Sequence, residues 1–191
     1  MVTSNKYYSR QGLWTLFLMS ALPLHIWTII LALRDFDWVS ARTNTWDAIG
    51  VIAYGLSFAM IESLVVVIGA ILLGFLVSRT WEEKRRIALM SVLVIILSLW
   101  SIFNQSYFLN EMSPPAWLAE LIFQTGRPVV ALYALALLAT SLSFAIPTYF
   151  ILRSDKFLRA LQEGMDRLSL LMTLYLVFDA AALVIILVRN L

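Results

Sequence analysis

Two carboxyl groups and one imidazole lie inside long apolar stretches of this sequence, where ionisable side chains are rare. They belong to Glu62, Asp179 and His25. An ionised group in apolar surroundings is costly unless it has a partner or contacts water. If the three side chains converge, we expect them to share protons or to bind a cation or a small ligand. If they do not, we expect each carboxyl group to be protonated and hydrogen-bonded to a neighbouring hydroxyl group or backbone carbonyl.

Counting residues along helices gives these three groups neighbouring depths. Asp179 lies ten residues before Arg189 and His25 nine before Arg34, which places both about 15 Å from the nearer ends of their apolar runs. Glu62 lies about 21 Å from the start of its run, somewhat deeper. Three ionisable groups on three helices at similar depth predict a polar centre inside a helical bundle.

Five other polar side chains are candidates to complete this centre. One lies a turn from Asp179, one beside Glu62, two on the third apolar run and one on the fourth. They are Tyr175, Ser63, Asn104, Gln105 and Thr140.

The cysteine and histidine counts limit the cofactors. The sequence has no cysteine and one histidine, which excludes iron–sulfur clusters, thiolate zinc sites and disulfides within this chain. One histidine cannot supply both axial ligands of a b-type haem. No cofactor is evident, although His25 can still ligate a single haem-like or chlorophyll-like macrocycle, and the sequence leaves a bound metal open.

The composition is that of an integral membrane protein. Of 191 residues, 61% are hydrophobic and 14% are charged, whereas a soluble domain is nearer half apolar and a quarter charged. The net charge of +2 is too small to indicate nucleic-acid binding. One membrane domain in contact with the lipid bilayer accounts for the whole length.

Five apolar runs are each long enough to cross a hydrocarbon core of about 30 Å as a helix. The predicted fold is therefore all-α, with five transmembrane helices. Two further segments carry apolar residues at helical spacing next to charged ones, which predicts helices at the membrane interface over residues 114–125 and 155–165. The five predicted spans are residues 12–33, 48–78, 87–109, 128–152 and 168–188.

Basic residues are unequally divided between the two sides that five spans define. The side of the N-terminus has Lys6, Arg10, Arg79, Lys84, Arg85, Arg86, Arg153, Lys156, Arg159 and Arg167. The opposite side has only Arg34, Arg42, Arg127 and Arg189. Short loops rich in Lys and Arg stay in the cytoplasm, so this asymmetry predicts a cytoplasmic N-terminus and an external C-terminus. We expect the location to be a bacterial inner (plasma) membrane.

Small residues on the second span predict a close helix contact. Gly55, Ala59 and Ser63 recur every four residues, and Gly69 lies further along the same helix. Such a stripe lets a second helix approach closely.

Two functions of different kinds fit these features. One is a bundle whose acidic centre binds or transports a proton, a cation or a small ligand, as a homo-oligomer or with a partner membrane subunit. The other is a structural or accessory subunit of a larger membrane complex, with the small residues as a docking face. An intramembrane enzyme is a third and weaker hypothesis, because no catalytic motif is present.

Overall fold

The computed structural model describes residues 7–78 and 80–191, apart from the side chain of residue 108, and contains helices but no strand within those ranges. The helices are α1 (Arg10–Arg42), α2 (Thr45–Gly74), α3 (Glu83–Leu109), α4 (Ala116–Gln124), α5 (Pro128–Arg153) and α6 (Asp155–Asn190). All except α4 are long and apolar enough to cross a membrane. The prediction of an all-α fold with five such helices is confirmed.

The helix α1 is longer than the predicted span over residues 12–33. The Ser9 side chain accepts a hydrogen bond from the Gly12 amide at 3.0 Å and so caps its start. At the other end it continues to Arg42, because the segment after Leu33 contains charged and aromatic residues but no Gly or Pro that would end a helix. Two residues then connect it to α2, where Asn44 forms the N-terminal cap by accepting from the Asp47 amide at 2.9 Å.

The short helix expected over residues 114–125 is α4, and it packs against α5. It follows Pro114 and Pro115, which cannot continue the helix α3. Just beyond α4, Gly126 has a φ of 68°, a left-handed conformation that glycine adopts without strain. The chain therefore turns here and enters α5 at Pro128.

The separate interfacial helix expected over residues 155–165 is instead the first part of α6, which runs without interruption for 36 residues. Leu158 and Met165 are buried at 5% and 4% exposure, against apolar side chains of α3 and α1. The apolar stripe that suggested contact with lipid headgroups therefore contacts the protein. This stripe continues into the buried side of the following span. Residues 155–165 and the fifth span therefore form one helix.

Four of the five buried residues of α6 recur at intervals of seven. They are Leu158, Met165, Met172 and Asp179, and the fifth, Ala182, lies one turn beyond Asp179. A repeat of seven keeps one narrow face of a helix against its neighbours in a left-handed bundle. Asp179 therefore points into the protein because it occupies a core position of this repeat.

On α1 and α3, burial is concentrated in the first half of the helix. Residues 18–23 of α1 and 86–92 of α3 are all buried, whereas the described side chains beyond His25 and Val94 are half-exposed or exposed. Helix α5 is peripheral, and Ile151 is its buried residue. Helices α1 and α3 thus separate toward one end and leave a cleft, whereas α2 and α6 remain packed there through Ala53, Leu56 and Ala182.

The two ends of the bundle are fixed by arginines. At the end where α1, α3 and α6 begin, which we call the basic end, buried Arg86 donates to the carbonyl oxygens of Tyr7 at 2.6 Å and Trp81 at 3.1 Å. At the opposite end, Arg189 donates to a carboxylate oxygen of Asp47 at 2.8 Å. The first described residues and the C-terminus therefore lie at different ends. Lys6 and Arg79, two of the predicted cytoplasmic basic residues, lie outside the described residues.

The small-residue stripe on α2 is present in part. Ala59 and Ser63 are 1% and 0% exposed. A Cβ atom on Gly55 would lie 3.2 Å from Thr28 of α1, so the two helices are close there. Gly69 does not belong to this contact, since a Cβ atom placed on it would meet nothing within 4 Å. It falls on a different side of the helix because it is six residues beyond Ser63, not four or seven.

Candidate functional site

His25 and Asp179 meet in the core. Nε2 of His25 lies 3.1 Å from Oδ1 and 3.0 Å from Oδ2 of Asp179. Nδ1 of the same ring lies 2.9 Å from the carbonyl oxygen of Ala21, one turn earlier on α1. The two residues are 0% and 3% exposed. The structure thus joins two of the three predicted ionisable groups in one buried contact between α1 and α6.

Local helix geometry positions the imidazole ring. His25 follows Pro23 by two residues, and Ala21, Leu22 and Pro23 in the turn before it are buried. The Ala21 carbonyl lies four residues earlier, where a histidine side chain directed toward the helix N-terminus reaches it. The ring is therefore held by its own helix at Nδ1 and presents Nε2 to α6.

This contact occupies both ring nitrogens of His25. A macrocycle bound at His25 would need one of these nitrogens as a ligand and space beside the ring. Nδ1 faces Ala21, Nε2 faces Asp179, and the ring is fully buried. The residues in place do not fit a macrocycle unless Asp179 moves away.

Glu62 does not join the pair, contrary to the hypothesis of a single centre. Its side chain is exposed, and among the described residues it has no hydrogen bond or ion pair. The neighbouring Ser63 occupies the buried position of α2, and successive residues on a helix point about 100° apart. Glu62 is therefore turned away from the core that contains His25 and Asp179.

Glu62 instead lines a cleft between α1, α2 and α3, with a volume of about 600 Å³. Most of the lining is aliphatic and comes from all three helices. We call this space the Glu62 cleft. Its polar lining residues are Glu62, Thr28, Trp27, Ser98, Ser101 and Gln105.

A hydrogen bond joins α1 and α3 in the part of the cleft away from the basic end. Trp27 Nε1 donates to Gln105 Oε1 at 2.6 Å. This bond fixes the amide so that its NH2 group remains to donate elsewhere. The cleft therefore offers a carboxyl group, two serine hydroxyls and an amide along mostly apolar walls.

The other predicted site residues are dispersed. Ser63 donates to the Ala59 carbonyl of its own helix at 2.6 Å, which satisfies its hydroxyl. Tyr175 is half-buried against the apolar core near α1. Asn104 is exposed on α3 next to Gln105. Thr140 is half-buried on α5, and no described contact connects it to the His25–Asp179 pair.

Several cleft residues are not conspicuous in the sequence. A tryptophan near the end of an apolar run, as Trp27 is, usually indicates an anchor at the membrane interface. A signal does exist on α3, because Ser98, Ser101 and Gln105 are spaced by three and four residues and so share one face. Which helices cover that face depends on how the bundle packs, and the spacing does not determine this.

A second polar cavity of about 380 Å³ lies at the basic end, between α1, α3 and α6. Its lining includes Lys84, Glu83 and Asp166. One oxygen of Glu83 accepts a hydrogen bond from the Ser9 amide at 2.5 Å, so this carboxylate already has a structural role at the start of α1. No three His, Asp or Glu side chains among residues 7–78 and 80–191 are arranged to hold a metal ion.

No protein family, curated protein or solved structure matches this chain.

Proposed function

We propose that this protein binds a compact lipophilic cation in the Glu62 cleft. The observation that carries the proposal is Glu62 itself, an exposed carboxyl group at the middle of α2 with no described partner. An ionisable residue at the middle of a membrane-spanning helix is costly, and proteins keep such residues mainly for ligands, ions or protons. A bound cation would supply the missing partner.

The cleft suits a ligand of this kind in size and lining. Pockets for small molecules have volumes of about 300–1,000 Å³, and they are mostly apolar with a few convergent polar groups. The Glu62 cleft has about 600 Å³ and aliphatic walls from three helices. The carboxylate would attract the positive charge, while the walls would contact the apolar body of the ligand.

The form of the bundle supports binding over conduction. The cleft lies where α1 and α3 separate, whereas the parts of these helices nearer the basic end are tightly packed and Arg86 closes that end. A ligand dissolved in the bilayer would enter sideways between the helices. Transport would require a second conformation that opens the basic end.

We further propose that the basic end faces the cytoplasm and that the protein resides in a bacterial inner membrane. The excess of Lys and Arg in the short segments at that end supports the orientation. The reporter fusions described in the Discussion test this orientation.

The binding proposal is tested with tetraphenylphosphonium, a lipophilic cation, and tetraphenylsilane, its uncharged analogue. Purified protein in lipid nanodiscs is titrated with each compound. Close charge pairs in protein complexes contribute about 1.5 kcal/mol or more, so Glu62→Gln should weaken binding of the cation at least about tenfold. Binding of the silane should be unchanged.

Glu120→Gln is the matched control, because Glu120 is exposed on the short helix α4, outside the candidate spans. It should leave the affinity for both compounds as in the wild type. Equal binding of tetraphenylphosphonium by the wild type and Glu62→Gln would contradict the proposal. Native mass spectrometry of protein extracted from its own membrane is a second test, because a natural occupant of the cleft should be present on the wild type and lost in Glu62→Gln.

A role as an accessory subunit is the second candidate, and α5 is the observation that favours it. Tyr133 and Leu137 on this helix are 73% and 70% exposed, so the helix has a broad apolar face that a second copy or a partner subunit would cover. Native mass spectrometry in mild detergent tests this role. A stable larger assembly, lost on Leu137→Trp but not on Glu62→Gln, would support it.

A further inference from the structure

We propose that the His25–Asp179 pair is a proton-binding site, which retains one proton across the physiological pH range and thereby holds α1 against α6. The proposal goes beyond the binding of a cation at Glu62 and does not depend on it. It rests on the three contacts of the pair, on its burial and on the charges around it.

The contacts fix the number of protons. The Ala21 carbonyl can only accept, so Nδ1 of His25, 2.9 Å away, must carry a hydrogen atom. If Nε2 were unprotonated, its lone pair would face both oxygens of Asp179 at 3.0 and 3.1 Å. That arrangement is repulsive when Asp179 is ionised. Either Nε2 or the carboxyl group therefore carries one more proton, and the pair is neutral overall in both cases.

Burial makes the loss of this proton costly. His25 is 0% and Asp179 3% exposed, so water cannot solvate the negative charge that deprotonation would leave. The repulsion between Nε2 and the carboxylate would then act directly between α1 and α6. The proton thus serves as the link between the two helices.

No other described charge compensates for the pair. On α1 and on the helices that pack against it, the charged residues nearest to the level of the pair lie at helix ends or in the Glu62 cleft. The titratable group one turn from Asp179 is Tyr175. These charged residues are Arg34 on α1 itself, Glu62 on α2, Arg86 on α3, and Arg167 and Arg189 on α6. Arg189 lies ten residues from Asp179, about 15 Å along the helix.

The consequence for stability follows from proton counting. In the unfolded chain, histidine loses its proton near pH 6.5 and aspartate near pH 3.9. Above about pH 6.5 the folded pair therefore holds one proton more than the unfolded chain. The folding equilibrium constant should fall about tenfold per pH unit there, until the folded pair itself loses the proton. Between about pH 4 and 6.5 both states hold the same number, and this contribution should be flat.

The direct test uses the fact that His25 is the single histidine of the sequence. Protein labelled with 15N-histidine, in nanodiscs, gives nitrogen NMR signals from this one ring. We expect a wild-type spectrum that does not change between pH 5 and pH 9. It should show either both nitrogens protonated, or a bare Nε2 together with an infrared band of a protonated carboxyl group that Asp179→Asn removes.

The proposal would be overturned by a wild-type ring that titrates near pH 6.5 like an exposed histidine. A bare nitrogen without any carboxylic acid band would overturn it equally. Glu62→Gln is the control that separates this proposal from the previous one. It should leave the His25 spectrum unchanged, because Glu62 does not contact the pair.

Asp179→Asn provides a second measurement on a variant that is expected to fold. The asparagine amide can donate to Nε2 while Nδ1 still donates to Ala21, so both contacts persist without a titrating proton. Unfolding by denaturant measures the folding equilibrium constant of both proteins. Above pH 6.5 this constant should fall about tenfold more per pH unit in the wild type than in the variant. Identical pH profiles for the two proteins would exclude a bound proton.

Discussion

At neutral pH the two residues of the His25–Asp179 contact depend on each other to different degrees. A histidine that loses its partner becomes neutral at almost no cost at pH 7, since its ordinary pKa is about 6.5. A carboxyl group that is buried alone has no partner for its charge and no water to solvate it, which is costly. Replacing His25 alone and replacing Asp179 alone should therefore destabilise the protein by different amounts.

We predict that His25→Leu destabilises the protein by about 3–5 kcal/mol at pH 7, because removing one partner of a buried pair leaves the carboxyl group of Asp179 without compensation. Asp179→Ala should cost only about 1–3 kcal/mol, the penalty of one unsatisfied ring nitrogen. Reversible unfolding in mixed micelles measures both values. Equal deficits at pH 7 would contradict this account.

At the scale of single residues, the sequence identifies which groups are unusual but not which of them meet. Glu62, Asp179 and His25 stand out because each interrupts an apolar run. Asp179 also falls on the repeat of seven that begins at Leu158, and the spacing of these residues is itself a property of the sequence. Glu62 is one position away from the buried Ser63, and one position on a helix decides between core and cleft.

At the scale of helices, two glycines of α2 provide a matched comparison. A Cβ atom on Gly55 would lie 3.2 Å from Thr28, whereas one on Gly69 would meet nothing within 4 Å. Gly55→Leu should therefore destabilise the bundle by about 1–3 kcal/mol through overpacking against α1. Gly69→Leu should leave stability nearly unchanged and instead reduce the volume of the Glu62 cleft. Thermal unfolding of both variants tests this prediction. Equal shifts in melting temperature would show that Gly55 does not form a close contact with α1.

The continuity of α6 is tested at Gly164, which lies near the end of the first of its two predicted parts. A Cβ atom there would meet nothing within 4 Å, and glycine inside a helix costs about 0.5–1 kcal/mol relative to alanine. Gly164→Ala should therefore raise stability by about that amount if α6 is one rigid helix. No change, or a loss of stability, would indicate a bend at this position. Thermal unfolding of the variant beside the wild type gives the answer.

The lengths of helices were predictable only where a residue stops them. Pro128 starts α5 at the predicted residue, because proline is favoured in the first turn of a helix. No such residue ends the first span at Leu33 or separates residues 155–165 from the fifth, so α1 and α6 continue beyond the apolar core. Hydropathy marks the part of a helix that suits lipid, whereas helix ends depend on capping and breaking residues.

At the scale of the whole molecule, the composition and the five apolar runs were sufficient to predict the fold class. The arrangement of the helices was not, since it depends on which faces pack together. The central position of α1 and α3 near the basic end and the peripheral position of α5 have no counterpart in hydropathy, because all five long helices are similarly apolar. The Glu62 cleft exists because these helices separate, and so it could not be located from the sequence.

The orientation of the molecule in its membrane is the last prediction, and it depends on charge. The contact of Arg86 with Tyr7 and the contact of Arg189 with Asp47 place the two termini at different ends of the bundle. The end with Arg86 also has most of the basic residues, and such segments remain in the cytoplasm. A reporter that is active only outside the cytoplasm should therefore work when fused after Leu191. The same reporter inserted after Glu82, between α2 and α3, should be inactive.

The control is a variant that changes the charge asymmetry without touching the buried contacts. Lys84, Arg153, Lys156 and Arg159 are exposed at the basic end, so replacing all four by Gln should leave the folded bundle intact and weaken the signal that retains this end. We expect a mixture of orientations, with reporter activity appearing at both positions. Replacing the same number of exposed acidic residues should have little effect, because acidic residues contribute little to orientation. Activity after Glu82 and none after Leu191 in the unaltered protein would reverse the orientation.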